Sequence, residues 1–512
     1  MMVSDAEAAA GARQDLREIH AFLRRGEFDR ADALLADVSK ILPDEPETLR
    51  LRGLLHHLRG RLDEALAVLR GAHLRWPDNA AILNNLGGAL RDAGDADGAI
   101  AALRKSCEID PQAAAGWYNL GVLLASHGLA DEAVAAFARA LECNPDHVAA
   151  QLGHADLLAR LDRSAQAAAQ YRATLLHDPR IVRAWIGLAN VAGAALSEAE
   201  LAALSELPAR SDLNDNDRDA VTFALGNALD ARADFDAAFA AFSTANSARR
   251  QRLSWNGEEF SRRVDSIVDA FATTPAGDID ATRGSDIVLL VGLPGAGAER
   301  IAAALAAHAD VSVGIGAPEL ASVIQEESTR RGELFPNWVA AATEQDWQRL
   351  GRRYLERSAR WRRPDAIYVD PALPNWPFLG ALFAMLPGAR VINSRGDALE
   401  TCWACYRRAF PRTGEAYSYD FADLARHWQD HERMMLFWHA RHAQGIYQQD
   451  TEGLIADPVA ALRDLLAFCD LPFEKACVKK AGTIGSGAPA RAYGHLLDPL
   501  RRLLDPFARG LR

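Results

Sequence analysis

Gly292 and Gly297 enclose four residues, Leu293–Ala296, and so have the Gly-x4-Gly spacing of a phosphate-binding loop. Backbone N–H groups in such a loop point at an anion, and the dipole of the helix that follows favours the anion's charge. A nucleoside triphosphatase continues the motif with Lys and Ser or Thr, whereas Ala298 and Glu299 follow here. The sequence therefore predicts a loop with the shape of an anion cradle but without its cation.

The loop is expected to join a buried strand to a helix. Ile287–Gly292 is a short apolar run that ends in Gly and Pro, and an Ala- and Leu-rich stretch follows the loop. Further strand candidates are Ile367–Asp370, Arg390–Ser394 and Gly445–Gln448, with helical patterns between them. This alternation predicts an α/β, P-loop-like domain with a mainly parallel sheet over residues 286–512.

The N-terminal half has an internal repeat. Prolines recur every 34 residues, at Pro43, Pro77, Pro111, Pro145 and Pro179. This is the period of the tetratricopeptide repeat (TPR), in which each copy is a helix–turn–helix. In the copy Ala114–His147, the small residues Gly121 and Ala133 stand where two helices cross closely. The sequence therefore predicts an all-α TPR solenoid over residues 1–195.

Three shorter segments complete the predicted domain organisation. Residues 196–272 are expected to form a connector and a further TPR-like hairpin, with Gly226, Ala238 and Phe242 at the repeat's offsets. Within this segment, Phe260–Phe271 has the pattern of a linking helix. Residues 273–285 contain Gly, Thr and Asp and are predicted to be a linker before the α/β domain.

The composition of the whole chain narrows its setting. A net charge of −12 and a pI of about 5.7 argue against general nucleic-acid binding. The six Cys have no disulfide spacing, which indicates a reducing compartment, and they form no second pair beside CWAC at 402–405 that would make a zinc site. There is no apolar run of roughly 18 residues, so no membrane span is expected. We expect a cytoplasmic bacterial protein without a metal.

Several segments resemble, in order, the bacterial family that joins TPR repeats to a sulfotransferase domain of the tyrosylprotein type. VGLPGAGAERI resembles the family's VGLPRSGTTLL, and HADVSVGIGAPELASV resembles its HPxVxGxGEL. YVDPALPNWPFLGALFAMLPGARVINSRGDALETCWACY resembles its DKMPLNF…LFPxAxIIHxRRDPxDTCLSCY. The resemblance covers nearly the whole chain and implies a sulfotransferase fold. Such enzymes use 3′-phosphoadenosine 5′-phosphosulfate (PAPS) as the sulfuryl donor.

The resemblance also locates a degenerate PAPS site. It implies that Arg395 belongs to the 3′-phosphate element, and the loop positions are Gly292, Gly295, Ala296, Gly297 and Ala298. Where the family has polar or charged residues, this chain has Gly295 for Arg, Ala296 for Ser, Ala298 and Glu299 for Thr, Pro371 for Lys and Ala404 for Ser. Each lost charge-assisted contact to phosphate costs about 1.5–3 kcal/mol. We therefore expect usable PAPS affinity to be lost unless other cations substitute.

Two family-type polar residues persist, and each has a second interpretation. Glu319 stands about where the family's general base lies, but it is equally a helix N-terminal Glu beside Pro318. Arg395 could meet a phosphate or could pair with Asp397 at the end of its strand.

Function is left with three alternatives. The first is a probable pseudoenzyme that needs no cofactor and binds a protein or peptide on the concave TPR face, around Asn84, Asn85 and Asn119. The second is an active PAPS-dependent sulfotransferase that acts on a peptidyl or small-molecule hydroxyl, with Glu319 as base. The third keeps the anion site for a nucleotide or simple phosphate. The array could instead be a spacer or the scaffold of a homo-oligomer. The missing cations favour the first alternative.

Overall fold

The chain forms two compact units, Met1–Ala192 and Gly193–Arg512, in a computed structural model that describes residues 5–272, 282–410, 413–481 and 489–508. The first unit is all-helical, as the repeat predicts. Among the described residues, no helix is long and apolar enough to cross a membrane. The helices of the first unit are α1 (Asp5–Arg24), α2 (Phe28–Ile41), α3 (Pro46–Leu58), α4 (Leu62–Arg75), α5 (Ala80–Asp92), α6 (Ala96–Ile109), α7 (Ala114–Ser126), α8 (Ala130–Cys143), α9 (Val148–Arg160), α10 (Ser164–His177) and α11 (Val182–Ala192).

The 34-residue prolines mark the ends of the second helices of the repeats. Helices α2, α4, α6, α8 and α10 each end two residues before one of them. In three successive repeats, a side chain on the first helix donates to the carbonyl of the preceding proline: Trp117 Nε1 to Pro111 at 3.0 Å, Gln151 Nε2 to Pro145 at 2.6 Å and Trp185 Nε1 to Pro179 at 2.8 Å. These equivalent bonds join each repeat to the one before it.

Close helix crossing explains the glycines of the repeat. A Cβ added to Gly121 would lie 2.9 Å from Cδ1 of Phe137, on the helix that α7 crosses. A Cβ at Gly226 would lie 2.5 Å from Cε1 of Phe242, again 16 residues further on. The predicted hairpin in the second unit therefore has the same crossing as the repeats of the first.

The second unit is an α/β structure with helices before and around a sheet. Its strands are β1 (Ile287–Gly292), β2 (Val311–Val313), β3 (Ile367–Asp370), β4 (Arg390–Arg395) and β5 (Ile446–Asp450). Its helices are α12 (Glu198–Glu206), α13 (Asp215–Ala231), α14 (Phe235–Arg252), α15 (Gly257–Ala272), α16 (Ala298–Ala306), α17 (Glu319–Arg331), α18 (Glu344–Ser358), α19 (Leu379–Met385), α20 (Ala398–Tyr406), α21 (Phe421–Arg441), α22 (Thr451–Ala456), α23 (Pro458–Phe468), α24 (Lys475–Ala481) and α25 (Asp498–Ala508).

All five strands are parallel, in the order β2-β3-β1-β4-β5. Both faces are covered, because alternate residues of β1 belong to different cores. Leu289 and Val291 pack with α17, α18, α19 and α21, whereas Val288 and Leu290 pack with α16, α23 and α24. The carboxyl ends of the strands therefore meet at one edge of the sheet, which is where ligands bind in open α/β folds.

The TPR-like hairpin packs onto the α/β domain rather than standing apart from it. Asn246 Nδ2 of α14 donates to the carbonyl of Tyr406 at 2.8 Å, and Phe239 stacks on Trp403 with ring centroids 6.0 Å apart. Residues 196–272 thus belong to the same compact unit as the sheet. Most of the predicted linker, residues 273–281, lies outside the described residues.

Candidate functional site

The glycine-rich loop joins β1 to α16, as the sequence predicts, and its glycines have left-handed backbone conformations. Gly295 has φ +88° and Gly297, which precedes the first residue of α16, has φ +90°. A Cβ at Gly295 would lie 2.5 Å from Cβ of Ala404 and 3.2 Å from the carbonyl oxygen of Thr401, both on α20. The loop is therefore packed against α20 on the side where a residue-295 side chain would start.

Neighbouring side chains hold the loop through its carbonyl groups. The carbonyl of Ala296 accepts from Ser394 Oγ at 2.6 Å and also from Thr451 Oγ1, while Cys405 Sγ donates to the carbonyl of Pro294 at 2.8 Å. Among the described residues, the backbone N–H groups of Gly295, Gly297 and Ala298 have no hydrogen-bond acceptor. The cradle geometry of an anion loop is present even though its side-chain donors are not.

The charged groups beside the loop are mostly engaged with protein atoms. Glu299, in the first turn of α16, forms an ion pair with Arg408 at 3.1 Å, and both side chains are about half exposed. Arg300 donates to the carbonyl of Ala481 at 3.1 Å. One cation, Arg408, therefore reaches the first turn of the helix, and its charge is offset by Glu299.

Arg395 lies at the carboxyl end of β4 but does not pair with Asp397, which corrects one of the two interpretations of this residue. Its Nη2 donates to Glu432 Oε2 of α21 at 2.6 Å. Asp397 instead caps α20, because its Oδ1 accepts from the N–H of Glu400 at 2.9 Å. Burial raises the pKa of Glu432, but His431 and Arg395 outweigh it and lower the pKa below its usual range. The guanidinium of Arg395 is thus already neutralised, although its side chain stays 45% exposed.

Asp370 ends β3 and is followed by Pro371 in place of the family's Lys. Its carboxylate is buried and accepts from the hydroxyl of Tyr354 at 2.8 Å. Burial raises the pKa of Asp370 to about 6, although the hydrogen bonds from Tyr354 and from the N–H of Ala372 lower it; the charge of Glu319 raises it further. A carboxyl group in this state is poised to exchange a proton near neutral pH.

Glu319 is the first residue of α17 and is buried between two arginines. Its Oε1 accepts from Arg360 Nη2 at 2.9 Å, and its Oε2 accepts from Arg357 Nε. Both oxygens are therefore occupied by cationic donors, which stabilise the ionised form and weaken its action as a base. The role of Glu319 as a general base stays a prediction.

The three asparagines of the array lie on neighbouring first helices, and two of them bond to each other. Asn119 Nδ2 on α7 donates to Asn84 Oδ1 on α5 at 2.9 Å. Asn85 Nδ2 is buried and, in the part of the chain that the structure describes, has no hydrogen-bond partner. Asn85 is therefore the donor of the three that is unused, and a peptide-binding role for all three stays a prediction.

Sequence reasoning missed the partners of these site residues. Arg357 and Arg360 lie 38 and 41 residues from Glu319 along the chain, and Arg408 lies 109 residues from Glu299. The only local signal for them is their clustering at the C-terminal ends of α18 and α20. Short segments without periodicity do not indicate which strand end they reach.

Family comparisons agree with this architecture. Residues 288–475 match the sulfotransferase family, residues 87–128 match a TPR repeat model, and residues 16–74 and 114–147 match two tetratricopeptide repeat models. An uncharacterized protein of Aquifex aeolicus (strain VF5) is 24% identical over 263 residues, which cover 49% of this chain and 34% of that protein. This chain thus matches about a third of that relative's length.

Solved structures with similar folds are helical-repeat chains. They include Pseudomonas aeruginosa pilF (19% identity, 40% of this chain and 93% of that chain, TM-score 0.35). They also include a thermophilic TPR protein of Thermus thermophilus (22% identity, 35% and 98%, TM-score 0.32) and YrrB, a TPR protein with an unusual peptide-binding site (18% identity, 36% and 96%, TM-score 0.28). With a parallel α/β unit matched by the sulfotransferase family and helical repeats matched by the TPR models, the chain is a TPR-repeat protein of the sulfotransferase family.

Proposed function

We propose that this protein binds a protein or peptide partner through its TPR helices and that its sulfotransferase-family domain does not use PAPS. The observation that carries the second half is the contact between Gly295 and Ala404. These are the positions where the resemblance implies an Arg on the loop and a Ser in the 3′-phosphate element. Since glycine packs directly on a methyl group here, neither position supplies a donor.

The remaining charges make the deficit larger. Glu299 puts a negative charge in the first turn of α16, where an incoming phosphosulfate would need positive charge. Arg395 is paired with Glu432, so an anion would have to compete for it. Three lost charge-assisted contacts amount to roughly 5–9 kcal/mol, which is more than a thousandfold in affinity. Titration of the full chain with adenosine 3′,5′-bisphosphate in a calorimeter tests this half of the proposal.

The partner half rests on the first helices of the repeats. TPR arrays bind extended segments on the face that these helices line. Asn85 offers an amide donor without a partner among the described residues, next to the Asn84–Asn119 pair. An asparagine amide can donate to and accept from a peptide backbone at once.

Recovery of complexes from the native cells tests the partner half. We expect Asn85→Ala combined with Asn119→Ala to lose a partner that the wild-type chain retains. The matched control is Gln112→Ala, because Gln112 is exposed in a turn of the same repeat region. Undiminished recovery by the double variant would mean that this face is not the binding surface, and would favour a spacer or homo-oligomer scaffold.

PAPS-dependent transfer to a peptidyl or small-molecule hydroxyl is the second candidate, and Arg408 is the observation in its favour. The Arg408–Glu299 pair is half exposed, so a strongly charged donor could displace the carboxylate and recruit the guanidinium. This candidate requires sulfuryl transfer by the wild-type chain and its loss in Arg408→Gln. Transfer that survives in Arg408→Gln would mean that another cation serves the donor.

A further inference from the structure

A cavity of about 490 Å³ lies between α15, α17 and the segment that follows α17, away from the glycine-rich loop's own lining residues. This volume is within the range of small-molecule sites. Four aromatic side chains line it in two pairs. Trp255 and Phe260 have ring centroids 5.2 Å apart, and Phe335 and Phe378 have ring centroids 5.5 Å apart. The walls therefore suit a flat, apolar group.

A single cation, Arg263 of α15, lines the same cavity. Among the described residues, its guanidinium has neither an ion pair nor a hydrogen bond, whereas Arg357 and Arg408 of the same unit are both paired. Although Arg263 is accessible to solvent, desolvation by the surrounding walls lowers its pKa, and no carboxylate compensates. An anion that reached the cavity would gain a charge-assisted bond at no cost to an existing pair.

The other charged residue of the lining is Glu259, one helical turn before Arg263. It makes no ion pair with Arg263 at 4.0 Å or less among the described residues, and its side chain is exposed. Glu259 and Arg263 could each attract a ligand charge, so the sign of the preferred ligand is open to a direct test. Desolvation acts on Arg263 rather than on the exposed carboxylate, which favours an anionic ligand.

We propose that this cavity binds a small aromatic carboxylate, with the ring between the two aromatic pairs and the carboxylate on Arg263. The site is independent of the glycine-rich loop and of the TPR face, so it holds whether or not the domain uses PAPS.

Calorimetry on the full chain tests the proposal with 3-phenylpropionate as the probe and its uncharged analogue, 3-phenylpropionamide, as the matched ligand. We expect saturable binding of the carboxylate with a Kd below about 1 mM and at least about tenfold weaker binding of the amide. Arg263→Gln should weaken carboxylate binding by about tenfold and leave amide binding unchanged. Its matched control, Arg262→Gln, removes a neighbouring exposed cation that does not line the cavity and should have no effect.

Two further variants fix the location and the sign of the ligand charge. Ala321→Trp fills the cavity and should abolish the binding of both probes, with thermal unfolding used to confirm that the variant is folded. Glu259→Gln should bind the carboxylate at least as tightly as the wild type. The proposal is overturned by an absence of saturable carboxylate binding, by equal affinity for the amide, or by unchanged carboxylate affinity in Arg263→Gln. Weaker carboxylate binding in Glu259→Gln would also contradict it.

Discussion

Gly295 and Ala404 are in direct contact across the glycine-rich loop, because a Cβ built at residue 295 would lie only 2.5 Å from Cβ of Ala404. The two positions are 109 residues apart in the sequence, yet both depart from the family's motif toward smaller, uncharged residues. A loop packed this closely onto α20 has no room for a side chain at residue 295. The two departures therefore act as one structural unit.

Gly295→Arg should destabilise the second unit. An L-residue at φ +88° costs about 1–3 kcal/mol, and crowding against Ala404 adds about 1–3 kcal/mol. Gly332→Arg is the matched control, because Gly332 has φ +72° and open space around its Cα, so it reports backbone strain alone. Chemical denaturation measures both free energies of unfolding. Equal losses in the two variants would mean that Ala404 does not crowd residue 295.

Rebuilding the loop should not create a sulfotransferase. The quadruple variant Gly295→Arg, Ala296→Ser, Ala298→Thr, Glu299→Thr restores the family's loop residues, but Pro371 and Ala404 stay as they are, and groups that act as a unit are not additive. We expect no sulfuryl transfer to a tyrosyl peptide in a radiolabelled-donor assay. Measurable transfer, with the wild-type chain inactive beside it, would show that the loop alone had been lost.

Asp370 should make the folded state less stable as pH rises from about 4 to about 6. Its pKa is about 6 in the folded state, above the ordinary value of 3.8, so the folded state binds more protons than the unfolded state in this window. The contribution is at most about 3 kcal/mol. Asp370→Asn cannot ionise and should flatten the pH dependence of the free energy of unfolding between these values.

A second variant separates the titration of Asp370 from that of other carboxyl groups. The hydroxyl of Tyr354 donates to Asp370 and lowers its pKa, so Tyr354→Phe should raise that pKa further and extend the loss of stability to higher pH. Identical pH profiles for the wild type and Asp370→Asn would contradict this account.

The Asn84–Asn119 bond should couple two neighbouring repeats. A double-mutant cycle with Asn84→Ala and Asn119→Ala should give an interaction energy of about 0.5–1.5 kcal/mol, because the 2.9 Å bond is partly buried. Asn85→Ala paired with Asn119→Ala is the control cycle and should be additive, since Asn85 Nδ2 has no partner among the described residues. Additive losses in the Asn84/Asn119 cycle would mean that the bond contributes nothing to stability.

The parts of the fold with a strong local pattern could be predicted from the sequence. The prolines at a 34-residue period lie just after the second helices of the repeats, and β1 and β3 have the predicted bounds. The predicted strand Gly445–Gln448 begins one residue later and extends to Asp450. The three-residue strand β2 was missed, because Val311–Val313 is too short to show alternation and gains its pairing only from β3.

The candidate site was predictable only in its loop. The positions Gly292–Ala298 follow from local spacing, whereas the partners of the charged residues come from distant segments. Arg395 pairs with Glu432 rather than the adjacent Asp397, because Asp397 caps the next helix and Glu432 faces the strand end from α21. Such choices depend on which helix packs over which strand, and no local pattern records this.

Calorimetric titration of the full chain with adenosine 3′,5′-bisphosphate, at physiological salt, tests the central claim most directly. The ligand carries the 3′- and 5′-phosphates of PAPS without the sulfuryl group, so binding is measured apart from catalysis. Because Gly295, Ala296, Ala298 and Ala404 supply no side-chain donors and Glu299 opposes the charge, the account predicts no saturable binding below about 1 mM. A dissociation constant in the low micromolar range, lost in Arg395→Gln or Arg408→Gln, would contradict it and would make the protein a working PAPS-binding sulfotransferase.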